Sequence, residues 1–483
     1  MGARTGSEFL AGLKATGREI WLGSERVDNV VDHPQFTGAA HALARAFDLQ
    51  HEYADECLMP DPETGEPINV SHMLPTSIAD LKRRGVGLQR IAESTVGHMG
   101  RTPDYMNVTY AGFAGDPSHW GGDDGRNEEG VAHLVAFQKQ LAREDISLTH
   151  TLVHPTNIRS TDQNFVTNHV PLHKVGDTEG GIVVRGARIL ATLAPFADEI
   201  AVYPGLPLPP GAPSKFALSF SIPMDTPGLI FLCRDSAATV ASNTFDHPLS
   251  SRFDEQDAFV IFDNVEVPRN RVFIHSDVDV YGTVMGETAW WPNIMQQTTI
   301  RATTKLDFAY GLACQLAEAV GDATPATMDM LGEIACYAEL ARSSVDLAVE
   351  TAFDYGDGYV WPAGRPFHPM RAMLATWFPR VREIIMIIGS HNLLAAPSRT
   401  MLDDARLRPL IDEFMFGAEG FDAERRAALY RLAWDFIGSG LGSRNELYER
   451  NYLGSARTTR MHMYARYADR ARPNRLVQEI LNG

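Results

Sequence analysis

The stretch GGIVVRGARILATL, residues 180–193, decides the fold class of this 483-residue chain. Its valine, isoleucine and leucine residues follow a period close to two, which is typical of a β-strand. The same pattern returns in three later segments separated by turns, namely SKFALSFSIPM (214–224), GLIFLCRD (228–235) and DAFVIFDNVEVPRNRVF (257–273). The sequence therefore predicts a β-rich unit over residues 151–280.

Helical patterns lie on both sides of this unit. Residues 130–145, GVAHLVAFQKQLARED, space their apolar positions as one face of a helix, and residues 296–320 continue such a pattern over a longer segment. Helices, then strands, then helices indicate an α+β protein. We expect an N-terminal helical domain over 1–150, a middle β domain over 151–280, and a C-terminal helical bundle and tail over 281–483.

The composition is that of an acidic globular protein. Lys and Arg number 43 against 61 Asp and Glu, giving a formal charge of −18, which argues against nucleic acid or anionic membranes as partners. The sequence has no apolar run of about 18 residues and no signal-peptide core, so a cytoplasmic location is expected. The four cysteines lie far apart, which predicts neither a disulfide framework nor a zinc site.

A candidate anion-binding site lies in GHMGRTPDY, residues 97–105. Proline disfavours a helical residue before it and is favoured at the first helical position, so a helix is predicted to begin at Thr102–Pro103. Arg101 and Tyr105 can then both face the helix N-terminus, where a phenolate or carboxylate would be stabilised. The alternative is a capped helix with a surface arginine and a packed tyrosine, and these residues alone leave both interpretations open.

Two other stretches resemble binding motifs, but neither predicts a binding site. GSGLGSR, residues 438–444, follows a helical pattern rather than a strand, so it is interpreted as a helix end or turn instead of a dinucleotide loop. His150 and His154 are four residues apart, as in a metal-binding pair on a helix. Pro155 follows them and no third ligand is near in sequence, which favours a hydrogen-bonded structural role, and no metal site is predicted.

Segments spread over nearly the whole chain carry a family resemblance. They are ARTGSEFLAGL, REIWLGSERV, DHPQFTGAAHALARAFDLQH, GHMGRTPDY, DISLTHTLVHPTNIRS, GGIVVRGARILATLAPFADE, FDHPLSSRFDEQDAFVIFDNVEVPRNRVF and RLAWDFIGSGLGSRNELYERNYLG. Together they resemble the 4-hydroxyphenylacetate 3-monooxygenase oxygenase component family, the two-component FADH2-dependent phenol hydroxylases. The resemblance implies an acyl-CoA-dehydrogenase-like fold, with an N-terminal helical domain, a middle β-barrel or sandwich and a C-terminal four-helix bundle.

The resemblance also implies a reaction and its partners. FADH2, delivered by diffusion from a separate flavin reductase, would react with O2 to a flavin C4a-hydroperoxide. That species would hydroxylate a phenolic or hydroxylated heteroaromatic substrate ortho to its hydroxyl. NAD(P)H would be used only by the reductase, and the oxygenase would be a homotetramer or dimer of dimers. The alternatives are an acyl-CoA-dehydrogenase-type flavoprotein that oxidises a thioester, and a non-catalytic flavin-binding relative.

Three residues are implied as the catalytic and substrate-binding set. The family's GRxPDY arginine and tyrosine match Arg101 and Tyr105, and its THxL histidine matches His150, which would face the same substrate oxygen beside the flavin. A free phenol has a pKa of about 10, so ionising it near pH 7 costs about 4 kcal/mol. A buried cation with hydrogen-bond donors can supply a shift of that size. Arg101 would supply charge, Tyr105 a hydrogen bond and His150 proton transfer.

The flavin-binding residues implied by the resemblance lie in several separate places. They are His150, Thr156, Asn157, Ile158, Arg159, Thr192, Gly389, Arg450, Asn451 and Tyr452. Arg159 and Arg450 are candidate pyrophosphate partners, because a guanidinium pairs with phosphate in a bidentate way. The alternative for both arginines is a surface salt bridge. Gly389 matches a bundle position where a neighbouring subunit's backbone would approach the cofactor.

Two departures from the family bear on the substrate. Members that take 4-hydroxyphenylacetate often carry a Ser–Thr pair that holds its carboxylate, whereas here the same place reads Pro204, Gly205 and Leu206. Gly205 and Leu206 would therefore line a site for a larger or less anionic aromatic substrate, free or tethered to a carrier. Relatives acting on halophenols carry a histidine where this chain has Gln296, which argues against that chemistry.

Overall fold

A computed structural model of the chain describes residues 2–122, 124–155, 169–467 and 471–482. The chain forms two compact units, Met1–Lys305 with Val349–Pro362, and Leu306–Ala348 with Ala363–Gly483. No helix within the described ranges is long and apolar enough to cross a membrane. The three-part division expected from the sequence stays a prediction.

The first unit begins with helices whose ends match their sequences. Thr5 caps the first helix, and its side chain accepts from the Glu8 backbone N–H (3.3 Å) while Glu8 accepts from the Thr5 N–H (2.7 Å). The helices are α1 (Gly6–Ala15), α2 (Thr37–Glu52), α3 (Ala54–Cys57), α4 (Ile78–Ser94), α5 (Pro103–Ala114), α6 (Pro117–Gly121), α7 (Glu128–Glu144), α8 (Ser250–Phe253), α9 (Val278–Glu287) and α10 (Trp290–Glu318). The last of these continues into the second unit.

A six-stranded sheet contains the strand predicted from residues 180–193. Its strands are β1 (Glu19–Leu22), β2 (Glu25–Arg26), β6 (His173–Asp177), β7 (Gly181–Thr192), β10 (Leu229–Cys233) and β11 (Asp257–Pro268), in the order β2-β1-β10-β11-β7-β6. Gly181 approaches β11 so closely that an added Cβ would lie 1.9 Å from the Val267 carbonyl oxygen. The parallel pairing of β1 with β10 was not predicted, because the first 150 residues have mainly helical patterns.

A second, four-stranded sheet packs against the first. It consists of β5 (Leu148–Thr151), β8 (Glu199–Val202), β9 (Leu218–Pro223) and β12 (Val272–His275), in the order β12-β9-β8-β5. Phe220 of one sheet meets Phe262 of the other edge to face, with ring centroids 6.0 Å apart. These two rings belong to one buried apolar cluster that also contains residues of α1 and α2. Short hairpins complete the strands, namely β3 (Leu58–Pro60) with β4 (Pro67–Asn69) and β13 (Phe353–Asp354) with β14 (Val360–Trp361).

The second unit is helical. Its helices, besides the end of α10, are α11 (Pro325–Glu350), α12 (Phe367–Gly389), α13 (Asn392–Ala395), α14 (Arg399–Asp403), α15 (Arg408–Phe414), α16 (Ala423–Ile437), α17 (Gly440–Asn451), α18 (Ala456–Arg466) and α19 (Ala471–Asn482). Gly438 ends α16 and the Ser439 hydroxyl accepts from the Gly442 N–H (3.1 Å) to cap α17. The interpretation of residues 438–444 as a helix end and turn is confirmed.

Four long helices of this unit close into a bundle. Arg342 of α11 pairs with Asp307 of α10 (3.0 Å), and Tyr337 of α11 stacks on Trp377 of α12 at 4.7 Å between ring centroids. Helix α12 packs on α16, and Phe436 of α16 returns to α10. The predicted four-helix bundle is therefore present.

Candidate functional site

The start of α5 follows the prediction from GHMGRTPDY. Thr102 is extended (φ −53°, ψ 157°) and Pro103 is the first helical residue. Arg101 is only 8% exposed, so the alternative of a surface arginine is wrong. Its backbone N–H donates to Glu255 Oε1 (2.6 Å), and its guanidinium carbon lies 3.9 Å from the Tyr105 ring centroid. Arg101 and Tyr105 therefore form a buried cation–π pair.

His150 extends this pair from the neighbouring sheet. Residues 148–151 form a strand, so the helical spacing considered for His150 and His154 does not apply. Strand β5 pairs in parallel with β8, which sets His150 opposite Ala201. Its ring stacks on Tyr105 with centroids 5.3 Å apart and planes inclined by 26°. The structure thus brings together all three residues that the resemblance implied as catalytic.

Tyr203 completes the arrangement and was not singled out from the sequence. It follows β8 two residues after Ala201, and its ring stacks on His150 at 5.5 Å and 19°. Arg101, Tyr105, His150 and Tyr203 are called the aromatic stack below. The pairing of β5 with β8 brings Tyr203 to His150, although the two residues are far apart in sequence. An aromatic residue between a buried strand and a proline was the available indication.

The aromatic stack keeps its imidazole neutral. Burial, and then the charge of Arg101, hold the pKa of His150 well below its usual range. Burial raises the pKa of Tyr203 well above the ordinary value for a phenol. Within the described residues, His150 Nδ1 has no hydrogen-bond partner, and the Tyr203 hydroxyl is a hydrogen-bonding neighbour of Tyr105. A neutral imidazole beside a fixed cation can accept a hydrogen bond from a phenol whose anion the cation stabilises.

Thr192 lies beside β5, the strand that carries His150. Its backbone oxygen accepts from the Thr149 hydroxyl (2.7 Å), and its own hydroxyl donates to Asp257 Oδ1 (2.8 Å). The buried Thr151 hydroxyl, next to His150, has no hydrogen-bond partner in the described part of the chain. The end of β5 therefore carries a buried hydroxyl that no described residue satisfies. The predicted flavin residues that follow it, Thr156, Asn157, Ile158 and Arg159, lie outside the described residues.

The two residues expected beside the substrate differ in their surroundings. A Cβ on Gly205 would lie 2.9 Å from the Leu152 carbonyl oxygen and 2.6 Å from the Leu152 side chain, so the loop can approach β5 only through a glycine. Leu206, by contrast, is 75% exposed. The structure brings Gly205, but not the side chain of Leu206, against the segment that carries His150.

The remaining predicted flavin residues lie in the second unit, where each has a local contact. Arg450 pairs with Glu446 (2.6 Å) at the surface, as its alternative interpretation expects. Asn451 donates to the Leu447 oxygen (3.0 Å), and Tyr452 stacks on Tyr448 at 4.5 Å. Gly389 ends α12, and a Cβ there would lie 2.7 Å from Leu393. All four residues thus make these contacts within a single chain.

Gln296 has a structural partner. Its side-chain oxygen accepts two hydrogen bonds from Arg84, at 3.0 and 2.7 Å, and its side-chain nitrogen donates to the Leu81 oxygen (3.0 Å). Both residues are fully buried. The amide at this position therefore serves a buried arginine.

The fold and the relatives agree on one class of protein. The helices, paired sheets and four-helix bundle form the predicted acyl-CoA-dehydrogenase-like fold. Residues 5–274 and 281–482 match the N-terminal and C-terminal regions described as 4-hydroxyphenylacetate 3-hydroxylase. The chain belongs to the 4-hydroxyphenylacetate 3-hydroxylase family.

Individual relatives cover nearly the full chain. The 4-hydroxyphenylacetate 3-monooxygenase oxygenase component of Thermus thermophilus is 35% identical, over 94% of this chain and 92% of its own length. The oxygenase component of a Rhodococcus 4-nitrophenol 2-monooxygenase is 31% identical, over 96% and 88%. A crystal structure of a 4-hydroxyphenylacetate 3-monooxygenase oxygenase component, complexed with FAD and 4-hydroxyphenylacetate, superposes with a TM-score of 0.92 at 33% identity, covering 99% of both chains.

Proposed function

We propose that this chain is the oxygenase component of a two-component monooxygenase that uses FADH2 and O2 to hydroxylate a phenolic substrate ortho to its hydroxyl. The observation that carries the proposal is the aromatic stack, in which a buried guanidinium lies 3.9 Å from the Tyr105 ring centroid and a neutral His150 stacks next to that ring. Relatives that are named oxygenase components of phenol monooxygenases support the same reaction.

Arg101 and His150 have different roles in ionising the phenol. An aromatic ring attacks an electrophilic oxygen far better as phenolate, and forming the phenolate near pH 7 costs about 4 kcal/mol in water. The buried charge of Arg101 lowers this cost, since a nearby cation favours the anion. His150 donates or shuttles the proton, and Tyr105 donates a hydrogen bond to the oxyanion.

The residues at the end of β5 fit a flavin. Buried atoms without partners among the described residues, His150 Nδ1 and the Thr151 hydroxyl, suit a ring that carries carbonyl and nitrogen groups. His150 and Thr192 would hold the ring. When bound, reduced FAD supplies the electrons and activates O2 for transfer to the substrate.

Other parts of the proposal come from the family. Residues 156–159 and 450–452 would hold the rest of the cofactor, with Gly389 near it across a subunit contact. A separate flavin reductase delivers FADH2 by diffusion and alone uses NAD(P)H. The oxygenase is a cytoplasmic homotetramer or dimer of dimers.

The substrate class follows from the departures in the loop. Pro204, Gly205 and Leu206 replace the hydroxyl pair that receives the short tail of 4-hydroxyphenylacetate in other members. Phenols larger than 4-hydroxyphenylacetate, free or carrier-tethered, and hydroxylated heteroaromatic rings are therefore preferred. Efficient turnover of 4-hydroxyphenylacetate would contradict this part of the proposal.

A reconstituted reaction tests the function. The purified chain, FAD, NADH and an unrelated flavin reductase are incubated with a panel of free and carrier-tethered phenols, and products are measured by mass spectrometry. We expect a gain of one oxygen atom that depends on the chain and on the reductase. Oxidation of an acyl thioester without the reductase would favour the dehydrogenase alternative. Flavin binding with neither reaction would favour a non-catalytic relative.

A further inference from the structure

Arg188 is a buried cation with few partners. It lies on β7, is fully buried, and donates one hydrogen bond from Nη1 to the Leu152 carbonyl oxygen (2.7 Å). In the part of the chain that the structure describes, its Nε and Nη2 atoms have no acceptor. An arginine keeps its charge in proteins, and burying an unpaired charge is costly. A bound anion would offset that cost.

The nearest charged and titratable groups provide no such anion. Burial lowers the pKa of Arg188, and the hydroxyl of Tyr281 on α9 opposes this shift through its charge and as a hydrogen-bonding neighbour of the guanidinium. Tyr281 is itself buried, and its hydroxyl is a neutral partner that leaves the charge of Arg188 uncompensated. On the other side lies His154, whose pKa burial and then the charge of Arg188 lower to about 2. Among the described residues, a phenol (Tyr281) and a neutral imidazole (His154) thus lie beside Arg188, and no carboxylate acts on its pKa.

Arg188 shares a backbone contact with Gly205, one of the residues expected beside the substrate. The Leu152 carbonyl oxygen that accepts from Arg188 is the same atom that a Cβ on Gly205 would approach to 2.9 Å. Leu152 follows His150 by two residues, and Gly205 follows Tyr203 by two. The guanidinium therefore contacts the backbone segment between His150 and His154, against which Gly205 also packs. In sequence, this is where other family members carry the hydroxyl pair that holds a carboxylate.

We propose that Arg188 binds a carboxylate on the side chain of the phenolic substrate and makes this chain selective for phenols with an acidic tail. The inference rests on the proposed function and narrows its substrate class. A fixed cation on β7 takes over from the missing hydroxyl pair, and it serves a tail longer than that of 4-hydroxyphenylacetate. The pyrophosphate of the flavin carries the same kind of anionic oxygens, so the test separates these two sources.

The test compares an acid with its neutral amide. The substrates are 3-(4-hydroxyphenyl)propanoate and 3-(4-hydroxyphenyl)propanamide, and kcat/KM is measured for each with FAD and an unrelated flavin reductase. We expect the wild type to favour the acid by about tenfold to a hundredfold, the range of a charge-assisted hydrogen bond. In Arg188→Met this ratio falls close to one through a higher KM for the acid, and Arg188→Lys restores part of it.

A second arginine on the same strand is the matched control. Arg185 is half exposed and pairs with Asp263 (3.2 Å), so Arg185→Met keeps the wild-type ratio. The dissociation constant for FAD is measured in parallel and stays the same in Arg188→Met. Weaker FAD binding with an unchanged ratio would assign Arg188 to the flavin and overturn the proposal.

The wild type alone can also overturn it. Equal kcat/KM values for acid and amide would exclude a carboxylate partner, whether or not the variants fold. Failure of the proposed function has a different result, since neither compound would then gain an oxygen atom.

Discussion

Arg84 and Arg188 are both fully buried in the same unit, yet their surroundings are opposite. Arg84 of α4 donates from Nε and Nη2 to the side-chain oxygen of Gln296, and from Nη2 to Asn293 Oδ1 (2.8 Å). Arg188 donates a single hydrogen bond, to the Leu152 carbonyl. Burial lowers the pKa of both, that of Arg84 to about 9. The difference separates an arginine with three hydrogen bonds to side-chain oxygens, whose Nη1 alone has no partner among the described residues, from an arginine with one hydrogen bond to a backbone oxygen.

Unfolding free energies should give the largest contrast between the two. Arg84→Met leaves the Gln296 and Asn293 oxygens without their donor and should cost about 2–4 kcal/mol. Arg188→Met removes a poorly compensated charge and should change stability by no more than about 1 kcal/mol, in either direction. Urea unfolding of the ligand-free chain measures both. Equal losses would end the distinction between a structural and a ligand-binding arginine.

The second largest effect should be the pH dependence of the unfolding free energy that comes from His150. The folded-state pKa of His150 lies below the unfolded value, so the unfolded chain binds a proton that the folded chain excludes. The stability from this residue is therefore complete above about pH 6.5 and is lost as the pH falls below it, by at most about 1.4 kcal/mol per pH unit. His150→Gln should reduce the slope of unfolding free energy against pH in this window. Replacing the exposed His51 by Gln is the control, and an equal reduction there would contradict the assignment.

Removing a single tyrosine hydroxyl from the aromatic stack should have the smallest effect of the three changes. Tyr203 and Tyr110 are both buried, and both pack edge-on against Phe113. Only Tyr203 stacks on His150. Tyr203→Phe should lower kcat/KM for a phenol by about threefold to tenfold, the effect of one lost hydrogen bond to the substrate. Tyr110→Phe should leave kcat/KM for the phenol unchanged. Steady-state kinetics of both variants measure this difference. An equal loss of kcat/KM in the two variants would show that Tyr203 is not part of the site.

Local sequence rules predicted the parts of the site that depend on neighbouring residues. The helix start at Pro103 follows from its backbone preferences, and the strand over residues 181–192 from its period of two. The resemblance then assigned Arg101, Tyr105 and His150. Tyr203 was missed because its position depends on pairing between two strands far apart in sequence.

The burial of Arg188 could not be predicted from the sequence either. Its spacing from Arg185 sets the two side chains on opposite faces of β7, and the period alone does not say which face the core covers. The β1–β10 pairing, made by Glu19–Leu22, was missed for a related reason, since four residues are too short for a periodic pattern. Long-range pairing therefore determines what the sequence could not predict.

The most direct test of the account is the ionisation of a bound phenol. 4-Nitrophenol changes its visible absorbance on ionisation, so its apparent pKa can be measured by difference spectra with excess chain and a constant concentration of FAD. If Arg101 and His150 stabilise the phenolate, the pKa of the bound phenol falls by about 1–3 units below the solution value, and Arg101→Gln reverses most of the fall. A bound phenol whose pKa equals or exceeds its solution value in the wild type would contradict the account.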